Sequence, residues 1–264
     1  MYKLKKSLGQ NLLIDKNVIK KILSAVNLEN QIVFEIGPGH GNLTLPIIEK
    51  KIKKIILIEK DEKFCKILKQ KFLNYQNIEI YNQDILKFNL DSISSNNVIV
   101  FGNLPYNISP QILVNFLKVK KWPPFYKKVI FMFQKEVADR IIAKCNTKAY
   151  GRITVLTNFR FEIIKSFNVS KNCFFPKPSV DSKILVFKPK NNSSYKILNI
   201  KNLEKITNIF FSNKRKMINK PFSKIFKNPE IVSQKLNIDL SLRPNQINEN
   251  EFYKIVNFFE SDIN

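Results

Sequence analysis

The stretch Glu35-Ile36-Gly37-Pro38-Gly39-His40-Gly41 closes a short apolar run, Ile32 to Ile36. Glycines at alternating positions let a chain turn sharply and bring its backbone against a ligand that any Cβ would obstruct. The dinucleotide pattern G-x-G-x-x-G fails here, because Asn42 stands where its third glycine belongs. A Gly-x-Gly-x-Gly turn preceded by an acid suits S-adenosylmethionine (SAM) better. That cofactor has no pyrophosphate, and it needs close backbone packing with acceptors for its ammonium and ribose. Glu59 ends the next apolar run, twenty residues after Gly39, where a carboxylate can accept from both ribose hydroxyls. Asp84, in Asn82-Gln83-Asp84-Ile85, follows a third run and is placed to accept from the adenine amino group. Each acid alone is as readily a solvated strand end. Their order and spacing after the glycine turn carry the reading.

A second constellation is Phe101-Gly102-Asn103-Leu104-Pro105-Tyr106. It follows a further apolar run, and in an open α/β sheet such a turn faces the ligand at the carboxyl ends of the strands. The exocyclic amine of a nucleobase is a poor nucleophile, because its lone pair is delocalised into the ring. The side-chain oxygen of Asn103 and the backbone carbonyl of Leu104 can accept its two N–H bonds and favour a pyramidal nitrogen. Pro105 fixes the turn, and Tyr106 offers a flat face for the base. On its own this tetrapeptide is also an ordinary Asn/Pro turn. The single histidine, His40, sits inside the glycine turn and reads as a turn residue, since methylating an amine needs no strong base.

Elements that position these residues follow from periodicity. Asp15 caps a helix in which Val18, Ile19, Ile22, Leu23 and Val26 recur at helical spacing. Strands are expected at Ile32–Ile36, Ile55–Glu59, Ile78–Asn82, Val98–Phe101, Val129–Phe133 and Lys183–Lys188. Helices fall between most of them, which implies βαβ units. Thr154 to Phe161 fits either state. The polar stretch Lys190 to Ser194 reads as a linker, and only helical patterns follow it: Leu203–Phe211, Met217–Ile225, Pro229–Leu236 and Glu249–Phe259. The expected architecture is α/β, a Rossmann-like methyltransferase fold with a mostly parallel sheet over residues 1–190, then a small all-helical domain over 191–264.

Composition bounds the partners. Among 264 residues, 45 Lys+Arg against 21 Asp+Glu leave a formal charge of +24. The surplus is spread, with 33 basic and 14 acidic residues before position 196 and 12 and 7 from there on. Such a surface attracts polyanions, nucleic acid before membrane, although heavy use of Lys, Asn, Ile and Phe also fits a biased gene composition. No stretch is long and apolar enough for a signal peptide or a transmembrane helix. Cys65, Cys145 and Cys173 fit neither a disulfide framework nor a zinc site, so a reducing cytoplasm is expected and no metal.

The chain resembles the ribosomal RNA adenine dimethyltransferase family nearly end to end. The blocks that carry the likeness are Leu8-Gly9-Gln10-Asn11-Leu12-Leu13, Glu35–Gly41, Asn103–Tyr106, Gln134-Lys135-Glu136-Val137, Ala149-Tyr150-Gly151-Arg152 and Phe174-Phe175-Pro176-Lys177-Pro178-Ser179-Val180-Asp181-Ser182. The resemblance implies SAM-dependent dimethylation of two adjacent adenines near the 3′ end of 16S rRNA in the assembling small subunit, by a cytoplasmic monomer. It implies that Asn11, Leu13, Gly37, Glu59, Asp84 and Asn103 contact the cofactor. It also implies that Asn103, Tyr106 and Phe174 hold the target adenine, with Phe175 left as packing. The family usually has Phe where Leu12 stands, and Asn213-Lys214-Arg215-Lys216 replaces an Arg-rich segment, exchanging one guanidinium fork for an ammonium. Two alternatives remain: an antibiotic-resistance methyltransferase acting on large-subunit RNA, and a non-catalytic RNA-binding assembly or transcription factor. Tyr150-Gly151-Arg152 and Leu242-Arg243-Pro244 weigh against the first, and intact Asn103–Tyr106 against the second.

Overall fold

The computed structural model describes residues 11–191 and 195–263. Leu8, Gly9 and Gln10 of the N-terminal block, and Asn192, Ser193 and Ser194 of the expected linker, lie outside the described residues. The chain enters through a two-residue strand β1 (Leu12–Leu13) and helix α1 (Lys16–Leu23). The Asp15 carboxylate accepts from the Val18 N–H at 2.9 Å and so caps α1. Ile19, Ile22 and Leu23 then bury one apolar stripe.

Strands and helices alternate next: β2 (Ile32–Ile36), α2 (Thr44–Ile48), β3 (Lys54–Glu59), α3 (Glu62–Lys71), β4 (Ile78–Asn82), β5 (Val98–Asn103), α4 (Ser109–Leu117) and β6 (Tyr126–Gln134). The strands β4-β3-β2-β5-β6 pair in parallel in that order. Strands covered on both faces read as unbroken apolar runs. Val98, Ile99, Val100 and Phe101 of β5 accordingly expose at most 1% of their surface. The strand order reverses direction between β2 and β5, which makes their carboxyl ends the switch point where ligands bind such sheets. Helix α5 (Lys135–Ile141) and helix α6 (Arg152–Arg160) precede β7 (Phe161–Val169); a short β8 (Phe174–Phe175) and then β9 (Ser182–Pro189) follow. Strand β9 runs antiparallel to β6, and β7 lies beyond it at the sheet edge.

Three features go beyond the sequence reading or differ from it. Strand β7 was not expected, because Glu162, Lys165, Ser166 and Asn168 leave it without an apolar run, as an edge strand tolerates. The ambiguous segment at Thr154 is helical: Val155, Leu156 and Phe159 are buried on it, and the Gly151 N–H meets Thr154 Oγ1 at 3.2 Å at its start. The division of the chain also differs. One compact unit holds the described residues up to Ala138 together with Glu162–Pro189; the second holds Asp139–Phe161 and the described residues from Lys190 onward. This division places 139–161 with the later helices, where the expected cut at residue 190 places them with the sheet, because α6 packs against α7 and α10.

That second unit contains α6, α7 (Ile200–Phe211), α8 (Asn219–Ser223), α9 (Pro229–Leu236) and α10 (Glu249–Ile263). Its core is aromatic, with Phe210 ring centroids 5.4 Å from Phe252 and 5.8 Å from Phe222. The buried Glu260 carboxylate accepts from the N–H groups of Leu198 at 2.7 Å and Asn199 at 3.0 Å, closing the N-terminus of α7. Lys214 of the basic segment is drawn inward: its ammonium donates to the carbonyls of Lys148, at 2.6 Å, and Tyr150. Among the described residues no helix is long and apolar enough to cross a membrane.

Candidate active site

A single cavity opens at the switch point in the first unit. Asn11, Leu13, Gly37, Glu59, Asp84 and Asn103 all line it. The glycine turn forms its floor. Gly37, Gly39 and Gly41 take positive φ of 65°, 56° and 75°. At Gly39 a Cβ would stand 2.8 Å from the flexible Leu12 Cδ2, and the positive φ is what most favours glycine there. The Gly39 N–H donates to Glu59 Oε2 at 3.2 Å, and the Asp61 N–H donates to Oε1 at 2.8 Å. These two amides fix the carboxylate at the end of β3. Burial raises the pKa of Glu59, and those amide bonds work in the opposite direction.

Asp84 accepts from the Leu86 N–H at 3.0 Å and from Lys60 Nζ at 2.8 Å. Burial raises its pKa, but the bond from Lys60, the Leu86 amide and the nearby charges of Lys60 and Lys87 outweigh it and hold the carboxyl below its ordinary value. Glu35 lies deepest, 2% exposed, with Thr44 Oγ1 donating to its Oε2 at 2.8 Å. Desolvation pushes its pKa up to about 8 despite that bond, and the neighbouring Glu59 charge adds to the rise.

Among the described residues, three acids and one lysine therefore line a cavity in a chain of net charge +24. That contrast fits SAM, which carries a sulfonium and an ammonium. The open glycine floor leaves room that a Cβ would fill, and the strand-end acids supply acceptors for a nucleoside. Among the described residues no group of three or more His, Cys, Asp or Glu could hold a metal ion.

Asn103 ends β5 beside the glycine turn, where a Cβ at Gly37 would stand 3.7 Å from its carbonyl oxygen. Its Nδ2 donates to the Asn11 carbonyl at 2.8 Å, so its Oδ1 is left as the free acceptor of a fixed amide. The hydroxyls of Tyr106 and Ser182 lie 2.6 Å apart, which locks the half-buried phenol at the turn. Tyr106 does not itself line the cavity, and the Leu104 side chain is buried at 2% exposed, leaving only its backbone for any ligand. His40 does not line the cavity either; its ring packs edge-on against Phe64 at 4.8 Å.

The two adjacent phenylalanines are placed differently in the fold. Phe174, expected to face the target base, is 3% exposed in the core cluster with Leu13 and Ile22, whereas Phe175, expected as packing, is 60% exposed. The sequence reading also passed over Asn42 and Lys60. Asn42 Nδ2 donates to the Leu13 carbonyl at 2.9 Å and ties β1 to the turn. A polar side chain in place of the third glycine was the available signal. The adjacency of Lys60 to Glu59 was the signal for the second.

The chain matches the family described as ribosomal RNA adenine dimethylase over residues 1–261. It is 45% identical over 258 residues to a ribosomal RNA small subunit methyltransferase A from Pelagibacter ubique, covering 98% of this chain and 97% of that one. Among solved structures it is similar to a dimethyladenosine transferase from Plasmodium falciparum, with a TM-score of 0.81 and 27% identity over 95% of this chain and 98% of that chain. The 23S rRNA methyltransferase ErmE shares the fold at a TM-score of 0.64 and 23% identity, covering 93% and 99%.

Proposed function

The chain belongs to the ribosomal RNA adenine dimethylase family, and on that footing we propose that it dimethylates N6 of two adjacent adenines near the 3′ end of 16S rRNA in the assembling small subunit. It is a SAM-dependent rRNA adenine dimethyltransferase. The proposal lies in the choice of adenines, the small-subunit substrate, the cytoplasmic setting and action as a single chain. The observation that supports it best is the tethered Asn103 amide, held by the Asn11 carbonyl in the cavity that the glycine turn also lines.

SAM supplies an electrophilic methyl group on its sulfonium. Glu59 and Asp84 would hold the nucleoside part by accepting its hydrogen bonds, and Glu35, whose pKa burial pushes up to about 8, would turn negative only as the cofactor's positive charge favours its ionised form. Asn103 Oδ1 and the Leu104 carbonyl accept the two N–H bonds of the adenine amine, which localises the lone pair on nitrogen and aims it at the methyl. Tyr106, fixed through Ser182, gives the base a flat surface. Once methylated, the nitrogen is strongly acidic and gives its proton to water. No protein base is required, in keeping with a histidine outside the cavity.

Labelled methyl transfer tests this reading, with unmethylated small subunits, naked rRNA and large subunits compared side by side. We expect transfer to small subunits, two methyls on each of two adjacent adenines. Activity confined to large subunits would overturn the assignment.

A further inference from the structure

Asn11, Leu12 and Leu13 all line the cavity, and the two edges of this short span are held in different ways. Backbone groups of alternate residues in a paired strand point to opposite edges. The Ile14 N–H donates to the Cys173 carbonyl at 2.9 Å, which turns the backbone groups of Leu12 and Ile14 toward β8. The carbonyls of Asn11 and Leu13 therefore leave from the other edge, two residues apart. Among the described residues no strand pairs with that edge. Two side-chain amides take its place: Asn103 Nδ2 donates to the Asn11 carbonyl at 2.8 Å, and Asn42 Nδ2 donates to the Leu13 carbonyl at 2.9 Å. Leu13 is buried, so its carbonyl has little water to turn to if that amide is lost. Asn42 directly follows the glycine turn, and Asn103 ends β5. The two amides thus join the turn to the end of β5 through three residues of backbone.

We propose that Asn42 is a positioning residue: by holding the Leu13 carbonyl it fixes β1, and β1 in turn presents the Asn11 carbonyl that sets the Asn103 amide. This rests on the functional reading above, in which Asn103 Oδ1 accepts from the adenine amine. A side-chain amide has a donor end and an acceptor end, and the Asn11 carbonyl selects which end faces the amine. With β1 displaced, the Asn103 amide can rotate and set a donor where the amine needs an acceptor. The ladder to β8 does not supply this hold, because a strand bonded along one edge can still swing about that edge.

Single-turnover methyl transfer to unmethylated small ribosomal subunits tests the assignment, with SAM saturating for each variant and the temperature well below its melting point. Asn42→Ala and Asn42→Leu lose the donor with and without a loss of volume. Each should slow transfer by about 3- to 10-fold, the range of one neutral hydrogen bond. In an Asn103→Ala background the same changes should cost less than about twofold, because no amide is left to orient. Asn42 variants at the wild-type rate would overturn the proposal, whether they merely melt lower or merely bind SAM more weakly by calorimetry. Equal losses with and without the Asn103 amide would overturn it too, since Asn42 would then act by another route. An active wild type with indifferent Asn42 variants removes this inference alone. A wild type that methylates no adenine removes the functional reading and this inference together.

Discussion

Glu35 keeps its proton at neutral pH because the fold denies it water, and that has a measurable sign. Its pKa in the folded chain is about 8 against an ordinary value of 4.5. Below the lower value both folded and unfolded chains hold the proton, and nothing depends on pH. Between the two values only the unfolded chain releases it, so stability falls as pH rises until the folded group ionises as well. Glu35→Gln should therefore melt higher than wild type at pH 8, with the gain shrinking to nothing near pH 4.5; melting curves across that range check it. A cation bound above Glu35 favours the ionised form, so wild-type SAM affinity should rise with pH toward 8 and that of Glu35→Gln should stay flatter. Asn103→Ala, which removes the acceptor that orients the amine, should cut single-turnover methylation about 100-fold or more with RNA affinity little changed. A loss of RNA affinity with the rate preserved would contradict that role. At this scale the glycine turn, Glu59, Asp84 and Asn103 were legible because each is chemically tied to a strand end visible in sequence. Which of Phe174 and Phe175 is buried was not, since two adjacent phenylalanines differ only by which face of a two-residue strand each occupies, and that face is set by pairing with Leu12 and Leu13 far away.

At the scale of elements, the parallel strands announced themselves as apolar runs because both of their faces are covered. The short ladder of β1 and β8 had no such signature. Two residues carry no periodicity, and their partners are more than 150 positions apart in the chain. Strand β7 was hidden by its polar edge, and α6 by β-branched residues that favour strands locally until burial of Val155, Leu156 and Phe159 decides for helix. The ladder also joins Leu12 and Leu13 of the N-terminal block to Phe174 and Phe175 of the later one, and Leu12 lies against Gly39 of the glycine turn. Gly39→Ala tests that contact. The new Cβ meets Leu12 at 2.8 Å, and the residue is forced to keep a φ of +56°. The shift should push β1 away from the turn and displace the Asn11 carbonyl from Asn103. We expect SAM affinity to fall by tenfold or more while circular dichroism retains the native helix content. Unchanged calorimetric affinity would show that β1 does not close the site.

Over the whole molecule, charge is sorted by function. Among the described residues the cavity is lined by Glu35, Glu59 and Asp84 with Lys60 as the only cation, while the whole chain carries a surplus of +24. An acidic cavity draws in a cationic cofactor, and a basic exterior draws in RNA phosphates. The sequence shows the surplus but cannot say which cations are free to meet phosphate. Lys214, Arg215 and Lys216 illustrate the difference. As a run of three basic residues they read as one RNA-contacting cluster. In the fold, Lys214 is committed to the carbonyls of Lys148 and Tyr150, and burial, with the nearby Arg140 charge, holds its pKa below the ordinary value. Arg215 and Lys216 are exposed. Phosphate contacts release counterions, so each one contributes a slope of about 0.7–0.9 to the dependence of log affinity on log salt. Arg215→Ala with Lys216→Ala should weaken RNA binding and flatten that slope by up to twice this amount, with melting unchanged. Lys214→Ala should do the opposite: it leaves two carbonyls without their donor, lowers the melting temperature and moves the salt slope little. Salt titrations and melting curves of the two variants separate the roles. A slope unchanged in the double variant would remove the segment from the RNA surface, and a flattened slope with normal melting in Lys214→Ala would return that lysine to it.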